Sequence, residues 1–449
     1  MKLIYGVKDR PPFGQTIVFA IQQLLAIMAA TLVVPVIVGN GMQPAAALFG
    51  AGVGTLVYLC FTKFRSPVFL GSSFAFLGSM AAAFAGGVSM SVGYLGLIIG
   101  AIFAGLVYVL IAILVKIVGV GWLNKLMPPV VIGPTVAIIG LSLAGNAVGD
   151  LQKGGVGTAN PLICVLVGLV TLLVTTIAST YGKKFAKLIP FIIGILAGYA
   201  LAAIFTVIGE TAGIEALKVI DFSKISVLWE GGVSLKTFIN IDFTPTFWVA
   251  KDGFAEITGS YIATIAVAYL PVALVVFAEH VADHKNISTI IGTDLLEDPG
   301  LSRTLLGDGV GSMAGAIFGG CPNTTYGESV GCVAITRNAS VITIVFAAIG
   351  AILISFFAPF VAFVNSIPSC VMGGVCMALY GFIAVSGLKM LQKVDLGKNR
   401  NLFTASAILI AGIGGLSLTF GKITLTAIAT ALILGIIVNQ VLAKEKDEE

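Results

Sequence analysis

Twelve apolar runs of about 20 residues each constrain this chain most, because a helix of that length just crosses a bilayer's hydrocarbon core, about 30 Å thick. They fall at residues 14–38, 44–62, 93–119, 128–147, 160–180 and 188–208, and then at 257–282, 303–320, 338–364, 367–391, 402–420 and 422–443. Hydrophobic residues make up 58% of the 449 and charged ones 10%. The chain therefore reads as an all-α polytopic membrane protein, with no charged surface for nucleic acid. Lys2, Lys8 and Arg10 precede the first run, which is too long for a signal-peptide core and lacks a cleavage site, so it reads as a retained first span. The six cysteines form no Cys-x-x-Cys pair and lie mostly inside apolar runs, so neither a metal site nor a disulfide framework follows.

Two segments do not fit the helical pattern. Val68 to Ala85 and Cys321 to Arg337 lie between apolar runs, yet they are interrupted by glycine and hydroxyl residues, and the second also carries Pro322 and Glu328. Non-helical backbone persists at membrane depth only where protein encloses it or where it lines a cavity. Counting each as one crossing, with short extended stretches inside, gives fourteen transmembrane segments, the third and tenth of them broken. With both termini cytoplasmic, nineteen Lys and Arg then fall inside, among them Lys184, Lys393 and Lys446, and six fall outside, among them Lys422. Removing either broken segment inverts everything between it and the C-terminus and spoils that bias.

The polar interval Gly209 to Glu256 reads as an external loop, and it divides the chain into two halves of seven crossings. An odd number inserts the second half upside down. The halves share punctuation: Gly52-Val53-Gly54 precedes Pro67 and Gly71-Ser72-Ser73-Phe74, and Gly309-Val310-Gly311 precedes Pro322 and Thr324-Thr325-Tyr326-Gly327. Met127-Pro128 with Ile132-Gly133 likewise matches Ile367-Pro368 with Met372-Gly373. This order points to a 7+7 inverted repeat, whose broken helices meet near the bilayer midplane and offer free N–H groups to a solute.

Ionisable groups inside spans are rare and each is a candidate for function. Glu279 and Asp283 share one helical face, and His280 and His284, the only histidines, share an adjacent one. Two readings stand for this cluster: a binding group, or the wet cytoplasmic end of the eighth span, which suits Asp283 better than the deeper Glu279. Glu328 stands where a half-helix begins, either as a plain capping acid or as an acceptor for a ligand. Phe74, at the matching place in the first half, offers an aromatic face, or packs in the core. Tyr380 either reaches the site from the other half or merely packs, and Asp308 and Arg337 are expected to pair with each other. Two acids, an aromatic plane and free amides suit a small planar ring with N–H donors beside carbonyl acceptors, such as uracil.

At these residues the chain resembles the nucleobase/ascorbate transporter family, in its bacterial uracil permease branch. The resemblance rests on Arg10-Pro11-Pro12 with Gln15-Thr16, Gly71 to Phe76, Ala278-Glu279-His280-Val281 with His284, Asp298-Pro299-Gly300-Leu301 and Pro322 to Glu328, closing with Glu328-x-x-Gly331-x4-Thr336-Arg337. It implies a core domain of spans 1–4 and 8–11 (residues 1–126 and 257–366) and a gate domain of spans 5–7 and 12–14 (127–208 and 367–449, with the cytoplasmic tail), beside the loop 209–256. It also implies proton-coupled uracil import across the inner membrane by alternating access, commonly as a homodimer, without a cofactor. Glu279 and Glu328 then hold the base, Phe74 and Tyr326 line it, Gly327 offers its N–H, Tyr380 touches it from the gate, and His284 is linked to the proton beside Glu279. Three positions depart from the family pattern: Ser329 stands where Asn is usual, Gln23 where His is frequent, and Cys321 where a small hydroxyl residue is common. The other readings are a purine permease of the same family, an anion exchanger of the same architecture, disfavoured by two acids in the pocket, and an intramembrane enzyme, for which no nucleophile or metal set is present.

Overall fold

The computed structural model describes residues 2–119, 121–183, 185–240, 243–392, 394–420 and 423–444. Lys184, Lys393, Lys422 and Lys446 of the charge count, and the tail 445–449, lie outside the described residues. Helices dominate: α1 (Phe13–Val38), α2 (Pro44–Phe61), α3 (Leu77–Ala83), α4 (Met90–Val118), α5 (Pro129–Ser142), α6 (Pro161–Tyr181) and α7 (Pro190–Ala212) come before the polar interval. After it follow α8 (Gly259–Ile291), α9 (Leu301–Gly319), α10 (Gly327–Thr336), α11 (Val341–Ser355), α12 (Ala358–Ser366), α13 (Ser369–Leu391), α14 (Asn399–Ile413) and α15 (Ala427–Val441). Among the described residues, eight helices are long and apolar enough to cross a membrane.

Local chemistry sets the helix ends. Proline opens α2, α6 and α7 at positions where an N–H has no helical partner. Ser89 caps α4 and Thr258 caps α8 with side-chain oxygens that accept from the third residue on. Glycine permits the closest helix approaches. A Cβ on Gly54 would lie 2.6 Å from the carbonyl oxygen of Gly311, and one on Gly50 2.4 Å from that of Gly315. Of the glycines repeated in the two halves, Gly54 and Gly311 meet each other between α2 and α9, while Gly52 packs on α11 and Gly309 on α4, with the small-residue packing usual between membrane helices. Gly133 and Gly387 likewise meet between α5 and α13. The helices pack in two groups: α1, α2, α4, α8, α9 and α11 in one, and α5, α6, α7, α13, α14 and α15 in the other.

Both broken segments contain an extended stretch. Leu70–Ser72 (β1) and Asn323–Thr325 (β2) pair antiparallel, Leu70 opposite Thr325, Gly71 opposite Thr324 and Ser72 opposite Asn323. The ladder continues outward, with Tyr326 N donating to Phe69 O at 3.3 Å and Ser73 N to Pro322 O at 2.9 Å. Backbone at this depth is satisfied by its counterpart from the other half of the chain.

Several apolar runs differ from their expected extent, among them 128–147, which divides at Leu143, and 257–282, which continues as helix to Ile291. The run 338–364 divides into α11 and α12, because the polar interval reaches in at the break: Asn240 N donates to Phe356 O at 2.8 Å and Ile239 bridges Phe357. The run 402–420 ends as helix at Ile413, where Gly414 is followed by Gly415 at φ 71°. A hairpin of Leu418–Phe420 (β3) and Ile423–Leu425 (β4) comes next, so the last run begins its helix only at Ala427.

Candidate functional site

The β1–β2 ribbon is followed on each strand by a short helix, α3 or α10, and a cavity lies against it. A compartment of about 50 Å³ is lined by Phe74 and Ala75 before α3, Thr324 and Tyr326 on the ribbon, Gly327 and Glu328 at the start of α10, and Glu279 on α8. Val136 and Ile139 of α5 and Leu379 and Ile383 of α13 close the opposite wall. A larger compartment of about 350 Å³ shares Glu279, Gly327, Glu328, Val136, Leu379 and Ile383, and adds Asp283, Asn286, Phe191, Ser386 and Met390. One wall is polar and comes from the group containing α8. The other is apolar and comes from the group containing α13.

Several contacts fix the polar wall. Tyr326 packs against Gly71, where a Cβ would fall 2.4 Å from the ring, and its hydroxyl donates to Ser72 O at 2.6 Å. Ser329, one residue past Glu328, accepts from Phe69 N at 2.9 Å and from the Gln23 side-chain amide of α1. Two departures from the family pattern, Gln23 and Ser329, thus touch each other and tie α1, β1 and α10 together beside Glu328. Thr325 turns to the other face of the ribbon and donates to Asp283 at 2.9 Å.

Glu279 and Glu328 take part in no salt bridge among the described residues, and no Lys, Arg or His lines either compartment. Three carboxylates, Glu279, Asp283 and Glu328, therefore face one space with no cation beside them.

The structure brings Phe74, Glu279, Tyr326, Gly327 and Glu328 together around the cavity. Tyr380 packs edge-on against Phe74 with ring centroids 6.0 Å apart, while its neighbours Leu379 and Ile383 form the lining. His284 does not line the cavity. Its Nδ1 lies 2.8 Å from the His280 carbonyl, which can only accept, so Nδ1 carries the hydrogen, and Nε2 faces the hydroxyls of Tyr58 at 2.7 Å and Ser66 at 3.4 Å, which bond each other at 2.6 Å. The expected Asp308–Arg337 pair does not form: His280 Nδ1 lies 2.6 Å from Asp308 Oδ2, with both side chains fully buried. Arg337 instead ends α10 in the left-handed region, and its carbonyl accepts from Ile4 N at 2.8 Å. Asp283 lines the larger compartment although its sequence position at the end of an apolar run reads as wet. The signal for it was its place one turn from Glu279, on a helix that continues to Ile291.

Comparison with known sequences rests on most of the chain. The sequence profile of the Permease family Xan_ur_permease matches residues 14–421. The chain belongs to this family. It is the family that the Glu328-x-x-Gly331 motif and its companions resemble, and membership makes the chain a multi-pass membrane transporter rather than an enzyme. A uracil permease of Bacillus caldolyticus is 39% identical over 445 residues, 98% of this chain and 95% of that protein. A uracil permease of Escherichia coli K12 is 38% identical over 435 residues, 96% of this chain and 92% of that protein. In architecture the chain matches the transmembrane domain of the cyanobacterial bicarbonate transporter BicA with a TM-score of 0.62, covering 98% of this chain and 99% of that one at 14% identity, a likeness of fold alone.

Proposed function

We propose that this permease is a proton-coupled symporter that imports uracil across the inner membrane by alternating access. The observation that carries the reading is the cavity itself, two carboxylates and two aromatic side chains set around amides at the start of a half-helix, in a chain 38–39% identical to uracil permeases over nearly its full length. Glu279 and Glu328 accept from the ring N–H groups, the N–H groups at the start of α10 face its carbonyls, and Phe74 and Tyr326 cover its faces. An anion exchanger is disfavoured, because three carboxylates would repel its solute.

The two helix groups fit a core domain (1–126 and 257–366) moving against a gate domain (127–208 and 367–449). The cavity lies between them, with its binding groups on the core side and Tyr380 on the gate side. Fourteen crossings in a 7+7 inverted repeat fit the pairing of the two broken segments and the meeting of Gly54 with Gly311, with both termini cytoplasmic and the interval 209–256 outside. In this reading the coupled proton is shared among the cavity acids, with Asp283 one turn from Glu279 in the role the resemblance gave to His284. Repulsion among three carboxylates in one space is relieved when one of them is protonated. A homodimer is the expected assembly.

The test is uptake of radiolabelled uracil into proteoliposomes with and without an inward proton gradient, with unlabelled bases as competitors. Gradient-driven uptake that uracil competes for better than xanthine is expected. Uptake indifferent to the gradient removes the coupling, stronger competition by xanthine makes this a purine permease, and no uptake of any nucleobase removes the assignment.

A further inference from the structure

Among the described residues, the inner compartment is lined by one buried hydroxyl with nothing to bond. Thr324 is 2% exposed and lines the inner compartment, and its Oγ1 has no hydrogen-bond partner. Its neighbours along the same strand are engaged: Thr325 donates to Asp283, Tyr326 donates to Ser72 O, and Asn323 donates through its side-chain amide to Gly50 O at 3.1 Å. Thr55, which touches the same ribbon from α2, is occupied twice, by Leu70 N at 2.9 Å and Leu70 O at 3.2 Å. Ser72, Ser73 and Tyr380 also have unpartnered hydroxyls, but none of them lines the compartment. Buried polar groups are nearly always paired, so an unpaired one on a cavity wall marks where a bound molecule supplies the partner.

Strand geometry explains why this hydroxyl is free. Side chains alternate along β2, so Thr324 shares a face with Tyr326, while Thr325 turns to Asp283. The residue opposite Thr324 is Gly71, which has no side chain to cover it. In an extended strand a threonine hydroxyl also lacks the carbonyl four residues back that satisfies Thr31, Thr135 and Thr171 in their helices. The geometry points to Thr324 as a substrate-binding residue whose hydroxyl donates to a ring carbonyl oxygen of the base. This inference rests on the functional reading above. It completes the division of labour there: carboxylates accept from the ring N–H groups, and Thr324, with the amides of α10, donates to the carbonyls.

The experiment measures Kd by calorimetry for uracil, 2-thiouracil and 4-thiouracil on the full-length protein and on Thr324→Val and Thr324→Ser. Valine keeps the shape and loses the hydroxyl, and serine keeps the hydroxyl. Loss of one neutral hydrogen bond is expected to raise the uracil Kd of Thr324→Val by about 3- to 10-fold, with Thr324→Ser within about twofold of wild type. Sulfur accepts poorly, so one thio analogue should bind wild type more weakly than uracil, and that difference should shrink in Thr324→Val because the bond is already gone. Thr324→Ala is measured alongside and decides the matter if the valine variant does not fold. A uracil Kd unchanged by loss of the hydroxyl, or thio penalties equal in wild type and variant, overturns the inference while leaving uracil as the substrate. Failure of wild type to bind uracil overturns both.

Discussion

Gly71→Ala tests whether the ribbon sets the shape of the site. The new Cβ would sit 2.4 Å from Tyr326 Cε2, and ordinary contact begins near 3.4 Å, so the ring must retreat by about 1 Å. Its hydroxyl is tied to Ser72 O at 2.6 Å, and a retreat of that size stretches the bond beyond useful length. Overpacking costs about 1–3 kcal/mol of stability, and the lost hydrogen bond costs about 0.5–1.5 kcal/mol more. Since Tyr326 lines the cavity, we expect a uracil Kd at least about tenfold weaker, where 1.4 kcal/mol corresponds to tenfold, and a lower melting temperature. Calorimetry and thermal unfolding in detergent measure both. Gly71→Ala/Tyr326→Val removes the clash and should recover most of the stability, a non-additive pair. Affinity and melting unchanged by Gly71→Ala would refute the close approach of ring and strand.

Glu328→Gln keeps size and loses a charged acceptor, worth about 1.5–3 kcal/mol, so uracil should bind about 10- to 150-fold more weakly with the fold intact; equal calorimetric affinity would show that Glu328 does not touch the base. Asp283→Asn should abolish the dependence of uptake on the proton gradient while uracil exchange between loaded vesicles persists, and unaltered gradient dependence would move the proton elsewhere. His284→Gln should lower thermal stability, because Tyr58 and Ser66 lose a buried partner, yet leave the uracil Kd within a few-fold; a large loss of affinity would contradict its place outside the cavity. Gly54→Val would drive a side chain against Gly311 O and the Asn323 amide, so we expect little folded protein by size-exclusion chromatography, and a normal yield would count against the α2–α9 crossing.

The broken segments were legible because hydrocarbon penalises unpaired backbone, which makes glycine, proline and hydroxyls in an apolar chain conspicuous. Glu279 and Glu328 stood out for the same reason. The apolar wall did not: Val136, Leu379 and Ile383 are ordinary residues in ordinary helices, and nothing in their identity separates a cavity-lining side chain from one facing lipid. Asp283 was hidden by its position at the end of an apolar run, since hydropathy marks where the apolar residues stop and not where α8 stops. The bond between Gln23 and Ser329 joins residues 306 apart in sequence, and only three-dimensional packing turns two separate departures into one contact. Asp308 is misassigned from the sequence because charge alone suggested an arginine partner, whereas burial selected the imidazole of His280.

Leu70 and Thr325 are paired yet stand 255 positions apart in the chain (325 − 70). At about 5–20 residues per second of synthesis, the first strand emerges about 13–50 s before its mate. During that time its backbone groups have no ladder to join, in a membrane where unsatisfied amides are costly. The ladder that walls the cavity can therefore close only after both halves of the chain have been made, so this part of the fold is completed late in biogenesis.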